Sequence, residues 1–263
     1  MPYFERDGAL LFYITEGQGP PVLFLHGWAC DSQDFIFQIP FLQALGYHTI
    51  AFDARGHGRS STPPVSHPEQ LRPEVTSDDA VALLAHLGIA APVLVLGHSL
   101  GCLTASLLAI RAPRLVRALV LVDPMYYQTA AAHEGFTRAL AGDGRAHEVL
   151  GRSFAQPDDK PAWLRTWHRM RLLATPEWVV YQVAYQKNVV EPAVGNWEVV
   201  RGMFGGRGCP RLVVLKDETN LEKERSLGLG EKDGLMVLDG DHWLHVQEAE
   251  RFNQIVGKWI DDL

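Results

Sequence analysis

The sequence predicts an α/β fold built on a mostly parallel sheet, and three observations carry that prediction. Short apolar runs recur and end in glycine, histidine or aspartate: "PPVLFLHG" (20–27), "YHTIAFDARGHG" (47–58), "APVLVLGHS" (91–99), "VRALVLVDP" (116–124) and "PRLVVLKD" (210–217). Helix-like stretches over 33–45, 76–87 and 100–112 separate the early runs. Apolarity that is continuous rather than alternating means that both faces of each strand are covered, as in a parallel sheet sandwiched by helices. The third observation is a break in this rhythm after Asp123.

Taken in order, residues 3–6 and 9–16 alternate around Asp7-Gly8 and read as a β-hairpin. The strand, helix, strand alternation then implies βαβ units. From 125 to 207 the chain is rich in aromatics, among them Tyr126, Tyr127, Phe136, Trp163, Trp167, Trp178, Tyr181, Tyr185 and Trp197, and reads as a helical cap inserted into the core. The core itself is assigned to 1–124 and 208–263, with a last strand over 235–239 and a closing helix. Aromatics at helical spacing ordinarily pack their own core. Collectively, over the C-terminal edge of a parallel sheet, they would also roof an apolar pocket where open sheets bind ligands.

At 263 residues, 47% hydrophobic and 21% charged, the chain can bury a sizeable core as one domain with an elaboration. A formal charge of −7 without any basic run argues against nucleic acid or an anionic membrane as partner. Three scattered cysteines, Cys30, Cys102 and Cys209, offer neither a disulfide framework nor metal-ligand spacing. No basic-then-apolar leader opens the sequence and no apolar stretch is long enough for a membrane span, so a cytoplasmic protein, monomer or homodimer, is expected. No dinucleotide fingerprint follows a strand, and no cofactor or metal is expected.

Four polar features follow predicted strands: His26-Gly27-Trp28, Ser99 in "GHSLG", Asp123 in "LVLVDP" and His242 in "VLDGDHWLHV". In the G-x-S-x-G pentapeptide, glycines without Cβ atoms let a strand turn sharply into a helix and present the serine hydroxyl. A serine is scarcely ionised at neutral pH, so it needs a base, and an imidazole base needs a carboxylate to fix its tautomer. Serine, acid and histidine occur here in that chain order.

Together "HGW", "FDARGHGRS", "GHSLG", "LVLVDP" and "GDHWLHVQEAERF" resemble the α/β-hydrolase superfamily across essentially the whole chain. The resemblance implies Ser99 as nucleophile, His242 as base, and the backbone N–H groups of Trp28 and Leu100 as the oxyanion hole. Asp53 and His57 would be structural. His98, beside the elbow, is expected buried next to the site, and Trp163 is expected to contribute to the substrate pocket. Asp241 is an unsuitable partner for its neighbour His242, and His245 is expected to begin the last helix or line the pocket.

The departure from the family pattern concerns the acid. Most of the superfamily places an aspartate after the strand corresponding to "PRLVVL", in a pattern like G-x-x-D, but here "LKDETNLE" has Lys216 for the glycine and Thr219 for the aspartate. Asp217 or Glu218 would serve after a shift of one or two residues. Asp123, on the preceding strand, is the favoured acid, because pancreatic-type lipases, some haloalkane dehalogenases and zearalenone-type lactone hydrolases place theirs there. As a structural alternative, Asp-Pro after a strand is also a good turn.

Two activities follow as expectations. The first is hydrolysis of an ester or lactone of an apolar or aromatic small molecule. The second is the chemistry of cofactor-free dioxygenases of 3-hydroxy-4-quinolones, which share a Trp after the strand-end Gly and an acid at the Asp123 position. In those enzymes the His-Asp pair deprotonates the substrate, and their elbow resembles S-H-S-H-G rather than "GHSLG". A ligand receptor on the same fold is a third, non-enzymatic possibility. A serine at position 99 excludes dehalogenase or epoxide hydrolase chemistry, which needs an aspartate there.

Overall fold

A computed structural model describes residues 2–142, 144–153 and 161–263, so part of the expected 125–207 insertion lies outside the described residues. Eight strands form one sheet: β1 (Tyr3–Arg6), β2 (Ala9–Glu16), β3 (Pro21–Leu25), β4 (His48–Phe52), β5 (Val93–His98), β6 (Val116–Val122), β7 (Arg211–Leu215) and β8 (Gly234–Val237). Their order is β1-β2-β4-β3-β5-β6-β7-β8, antiparallel across β1, β2 and β4 and parallel thereafter.

β3 to β7 are buried along nearly their whole length, Arg117 of β6 apart, whereas β8 at the sheet edge is half-exposed, and period-two alternation divides the buried side chains between two cores. Leu23, Leu25, Val93 and Val95 point to one face, and Val22, Phe24, Leu94 and Leu96 to the other. The first face is covered by α2 (Pro73–His86) and α3 (Leu100–Arg111) through Leu83, Leu84, Leu103 and Leu107. The second is covered by α1 (Gln38–Ala44) and the C-terminal α11 (Ala249–Asp261) through Leu42, Phe252, Val256 and Ile260. Truncating a fully buried ring such as Phe252 to alanine costs about 3–5 kcal/mol in such a core.

The helix expected over 33–45 is divided: a 3-10 turn, Ser32–Phe35, precedes α1. Asp31 causes the division, because its side chain accepts from the Gln33 amide and caps the short turn. Between β6 and β7 lie α4 (Ala130–Ala139), α5 (Arg145–Ser153), α6 (Ala162–Ala174), α7 (Glu177–Asn188) and α8 (Trp197–Met203). After β7 come α9 (Leu221–Ser226) and, before α11, the short α10 (Leu244–Gln247). Leu140, Leu150, Val179, Val180 and Val183 of the inserted stretch pack over Trp28 and Ala29, the loop after β3. No helix of the described residues is long and apolar enough to cross a membrane.

Register aligns the strand ends that matter. Leu25 pairs with Gly97, Gly97 with Leu121, His98 with Val122, and Val122 with Val214. The residues just after β3, β5, β6 and β7 therefore emerge side by side, one strand spacing of about 4.8 Å apart.

Candidate active site

Ser99 sits between β5 and α3 with φ 56° and ψ −114°, in the left-handed half of the map that a serine rarely occupies. The turn closes because Gly97 and Gly101 lack side chains: a Cβ on Gly97 would meet the Gly101 carbonyl, and one on Gly101 would run into the Leu25 carbonyl. A serine at a helix N-cap ordinarily bonds the first-turn amides, a contact worth about 1 kcal/mol. Here no such cap bond forms. Instead the hydroxyl Oγ donates to Nε2 of His242 at 2.8 Å.

His242 in turn donates from Nδ1 to Oδ2 of Asp123 at 2.6 Å. Asp123 also has positive φ, 41°, as does Ala29 next to Trp28, at 53°. Among the described residues, three of the five non-glycine residues with positive φ are thus Ala29, Ser99 and Asp123, and strain concentrated in this way is characteristic of functional sites. Burial pushes the His242 pKa below its ordinary 6.5; Asp123 opposes that shift, while the positive charges of His98 and Lys216 add to it. The imidazole is thereby kept neutral, as a base must be.

Asp217 and Glu218 are not part of this chain of contacts. Asp217 accepts from the Thr219 amide at 2.8 Å and caps a 3-10 turn, and its pKa is lowered by the Thr219 side chain first, then by that amide and the neighbouring Lys216 charge. Lys216 instead brings its backbone amide to Oδ1 of Asp123 at 3.5 Å. Trp28 is buried in the loop after β3, and its amide finds no acceptor among the described residues. Leu100 heads α3, so its N–H is one of the orphan donors of a helix start.

His98 is completely buried, and both of its ring nitrogens face acceptors: Oδ2 of Asp34 at 2.6 Å from Nδ1, and the His242 carbonyl at 2.9 Å from Nε2. Asp34 also accepts from the Gly27 amide at 3.0 Å and from Arg171 of α6 at 2.8 Å, and His245 bonds its carbonyl at 3.0 Å. Burial alone would raise the Asp34 carboxyl, but the charges of His98 and Arg171 hold it well below the usual carboxylate range. Cys30, Asp34 and His98 lie close enough to suggest a metal site, yet both His98 nitrogens and both Asp34 oxygens are already engaged. That donor set is an ion-pair cluster. Sequence reasoning missed it because Asp34 and Arg171 are far apart in the chain and belong to no motif.

Trp163 departs from expectation. It is 53% exposed, lies beside Trp167, and lines neither of the two cavities that flank the site. Tyr126 and Tyr127 are buried in the main core with their hydroxyls on Glu224, at 3.2 and 3.0 Å. Expected to begin the last helix or line the pocket, His245 is instead buried within the short α10, ahead of the last helix α11, and lines neither of those cavities.

Two cavities flank the site. One of about 460 Å³ runs between the loop after β3 and helices α5 and α6, walled by Trp28, Cys30, Leu150, His168, Leu172 and Trp243. The other, about 210 Å³, is the one that touches the histidine and its acid, being lined by Asp123, His242, Tyr127, Gln128, Lys216 and Asn220 among others. Ser99 is 1% exposed and lines neither. The larger space approaches the chemistry only through Trp28 and Trp243, so the smaller is the better guide to where reacting groups lie.

A model of the alpha/beta hydrolase fold family matches residues 20–198. Over 158 residues, 58% of this chain, the sequence is 36% identical to a non-heme haloperoxidase of Rhodococcus erythropolis, and that match spans 56% of the relative's length. Over 262 residues it is 24% identical to the (E)-2-((N-methylformamido)methylene)succinate hydrolase of Acinetobacter baylyi, covering 95% of this chain and 93% of the other. Among solved structures, the enol-lactonase of Burkholderia xenovorans superposes with a TM-score of 0.82 at 18% identity, over 99% of this chain and all of its own. With a family match over more than half its length and the same fold from end to end, the chain belongs to the α/β-hydrolase family.

Proposed function

We propose that the protein is a serine hydrolase that cleaves a carboxylic ester or lactone of a small, largely apolar or aromatic molecule through an acyl-enzyme on Ser99. The observation that carries this reading is the continuous hydrogen-bonded line from Asp123 through His242 to the Ser99 hydroxyl, at 2.6 and 2.8 Å. Such a line is what converts an inert hydroxyl into a nucleophile.

In the first half-reaction, Oγ bonds to the carbonyl carbon as its proton passes to Nε2 of His242. The carbonyl π pair moves to oxygen, where the Trp28 and Leu100 amides receive it. Losing one such donor typically raises the barrier by about 3 kcal/mol. Collapse breaks the bond to the alcohol oxygen, which leaves with the proton from His242. Water then gives a proton to His242 and attacks the acyl carbon, and Ser99 departs with that proton restored. Asp123 keeps the imidazole in the required tautomer and stabilises its charged form throughout. The predominantly apolar walls of the larger cavity suit the body of such a substrate.

Ser99→Ala, assayed with p-nitrophenyl esters, lactones and a 3-hydroxy-4-quinolone in an oxygen electrode, tests the reading. Abolished ester and lactone cleavage, with no oxygen uptake by either protein, is the expected result. Oxygen uptake that survives in Ser99→Ala would place the chemistry with the histidine and aspartate alone and overturn it.

A further inference from the structure

Lys216 stands where the family pattern has a glycine, directly after β7. Its amide reaches Asp123, and its side chain lines the 210 Å³ cavity together with Asp123 and His242. Among the described residues no carboxylate lies within salt-bridge distance of its ammonium. The nearest acid in sequence, Asp217, spends an oxygen on the Thr219 amide instead. Asp123, the other carboxylate at the cavity, has one oxygen on His242 and the other towards the Lys216 backbone.

The remaining lining adds donors rather than negative charge. Asn220 and Gln128 also line this cavity. His133 is there too, with Nδ1 on Asn196 and its pKa lowered to about 4 by burial and by Lys187, so it is neutral. A small space that touches His242 and Asp123 is therefore lined by one cation with no salt-bridge partner among the described residues and by two residues whose side chains carry amide donors. Its volume is several times the ~30 Å³ occupied by a water molecule, room for a carboxylate on a short methylene arm.

We propose that this cavity binds a carboxylate of the substrate, with Lys216 as its counter-ion. The substrate would then be a half-ester or carboxy-lactone, with its scissile carbonyl at Ser99 and its anionic arm beside Lys216. The placement relative to the carbonyl rests on the serine hydrolase reading; the anion site itself does not. A charged hydrogen bond of this kind is worth on the order of tenfold or more in affinity.

The test separates the two claims. Binding of monomethyl glutarate and dimethyl glutarate to full-length Ser99→Ala is measured by titration calorimetry at low and high salt. The half-ester is expected to bind at least about tenfold tighter, with the preference shrinking as salt rises. Adding Lys216→Met should bring the two ligands within about threefold, while Lys216→Arg should keep most of the preference. Equal binding of the two esters, a preference that ignores salt, or one that survives Lys216→Met would each overturn the proposal. Proton release by the intact Ser99 protein from both esters is followed in parallel. A charge preference without any release would count against the hydrolase reading and leave the anion site standing.

Discussion

His98 donates from Nε2 to the backbone carbonyl of His242 at 2.9 Å, so His242 is held by its main chain as well as by Asp123. The other end of the His98 ring is fixed by Asp34, which also holds the Gly27 amide just before Trp28 and the Arg171 guanidinium of α6. One buried carboxylate thus ties together the His242 loop, the loop after β3 and helix α6. Asp34→Asn leaves the buried Arg171 guanidinium without its counter-ion and weakens the His98 contact, and the expected loss is about 3–5 kcal/mol of stability in urea unfolding. A loss within 1 kcal/mol, on the order of a surface pair, would show that the cluster is not held by charge.

Asp123 and Asp217 make opposite predictions. Asp123→Asn removes the carboxylate that selects the His242 tautomer and should lower kcat on the order of 10⁴-fold with little change in KM. Asp217→Asn only weakens the cap of a 3-10 turn and should stay within a few-fold of the parent. Steady-state kinetics on one ester decide between them.

The pH profile follows from the burial of His242. Its pKa lies below 6.5, so the neutral, active form persists into mildly acidic solution and the acidic limb of kcat/KM should fall below that value. Removing the nearby positive charge by Lys216→Met favours the imidazolium and should move that limb to higher pH. A limb that stays in place would mean that the Lys216 charge is screened from His242.

Stability should decline in acid for a related reason. His57 and His133 have pKa values lowered from 6.5 to about 4, and His168 to about 3, each chiefly by burial. Between pH 6.5 and 4 the unfolded chain takes up protons that the folded chain refuses, so stability rises with pH there and is lost as pH falls. Each histidine contributes up to ~1.4 kcal/mol per pH unit. Urea midpoints measured across that window should show the slope, and His57→Gln should flatten it.

Much of the fold was legible because continuous apolar runs mark strands buried on both faces, and the five parallel strands so read are β3 to β7. The elbow was legible for a local reason: glycine at 101 lets the backbone approach Leu25, and glycine at 97 leaves room for the Gly101 backbone. The place of the acid was not local. Asp123 and Asp217 both follow strands, and only the register of β6 against β7 and the His242 loop determine which one faces the imidazole. The Asp34 cluster was illegible because a buried aspartate and its arginine 137 positions away leave no periodic or motif signal. Trp163 was placed at the pocket on aromatic character alone, which says nothing about which face of α6 it occupies.

The central claim is that Ser99 carries the acyl group, and rapid-quench mass spectrometry of the intact protein with a p-nitrophenyl ester tests it most directly. The account predicts a burst of p-nitrophenol accompanied by a mass increase equal to the acyl group, mapped to the peptide containing Ser99 and absent in Ser99→Ala. Turnover of the ester with no acylated species, or with the added mass on another residue, would contradict it.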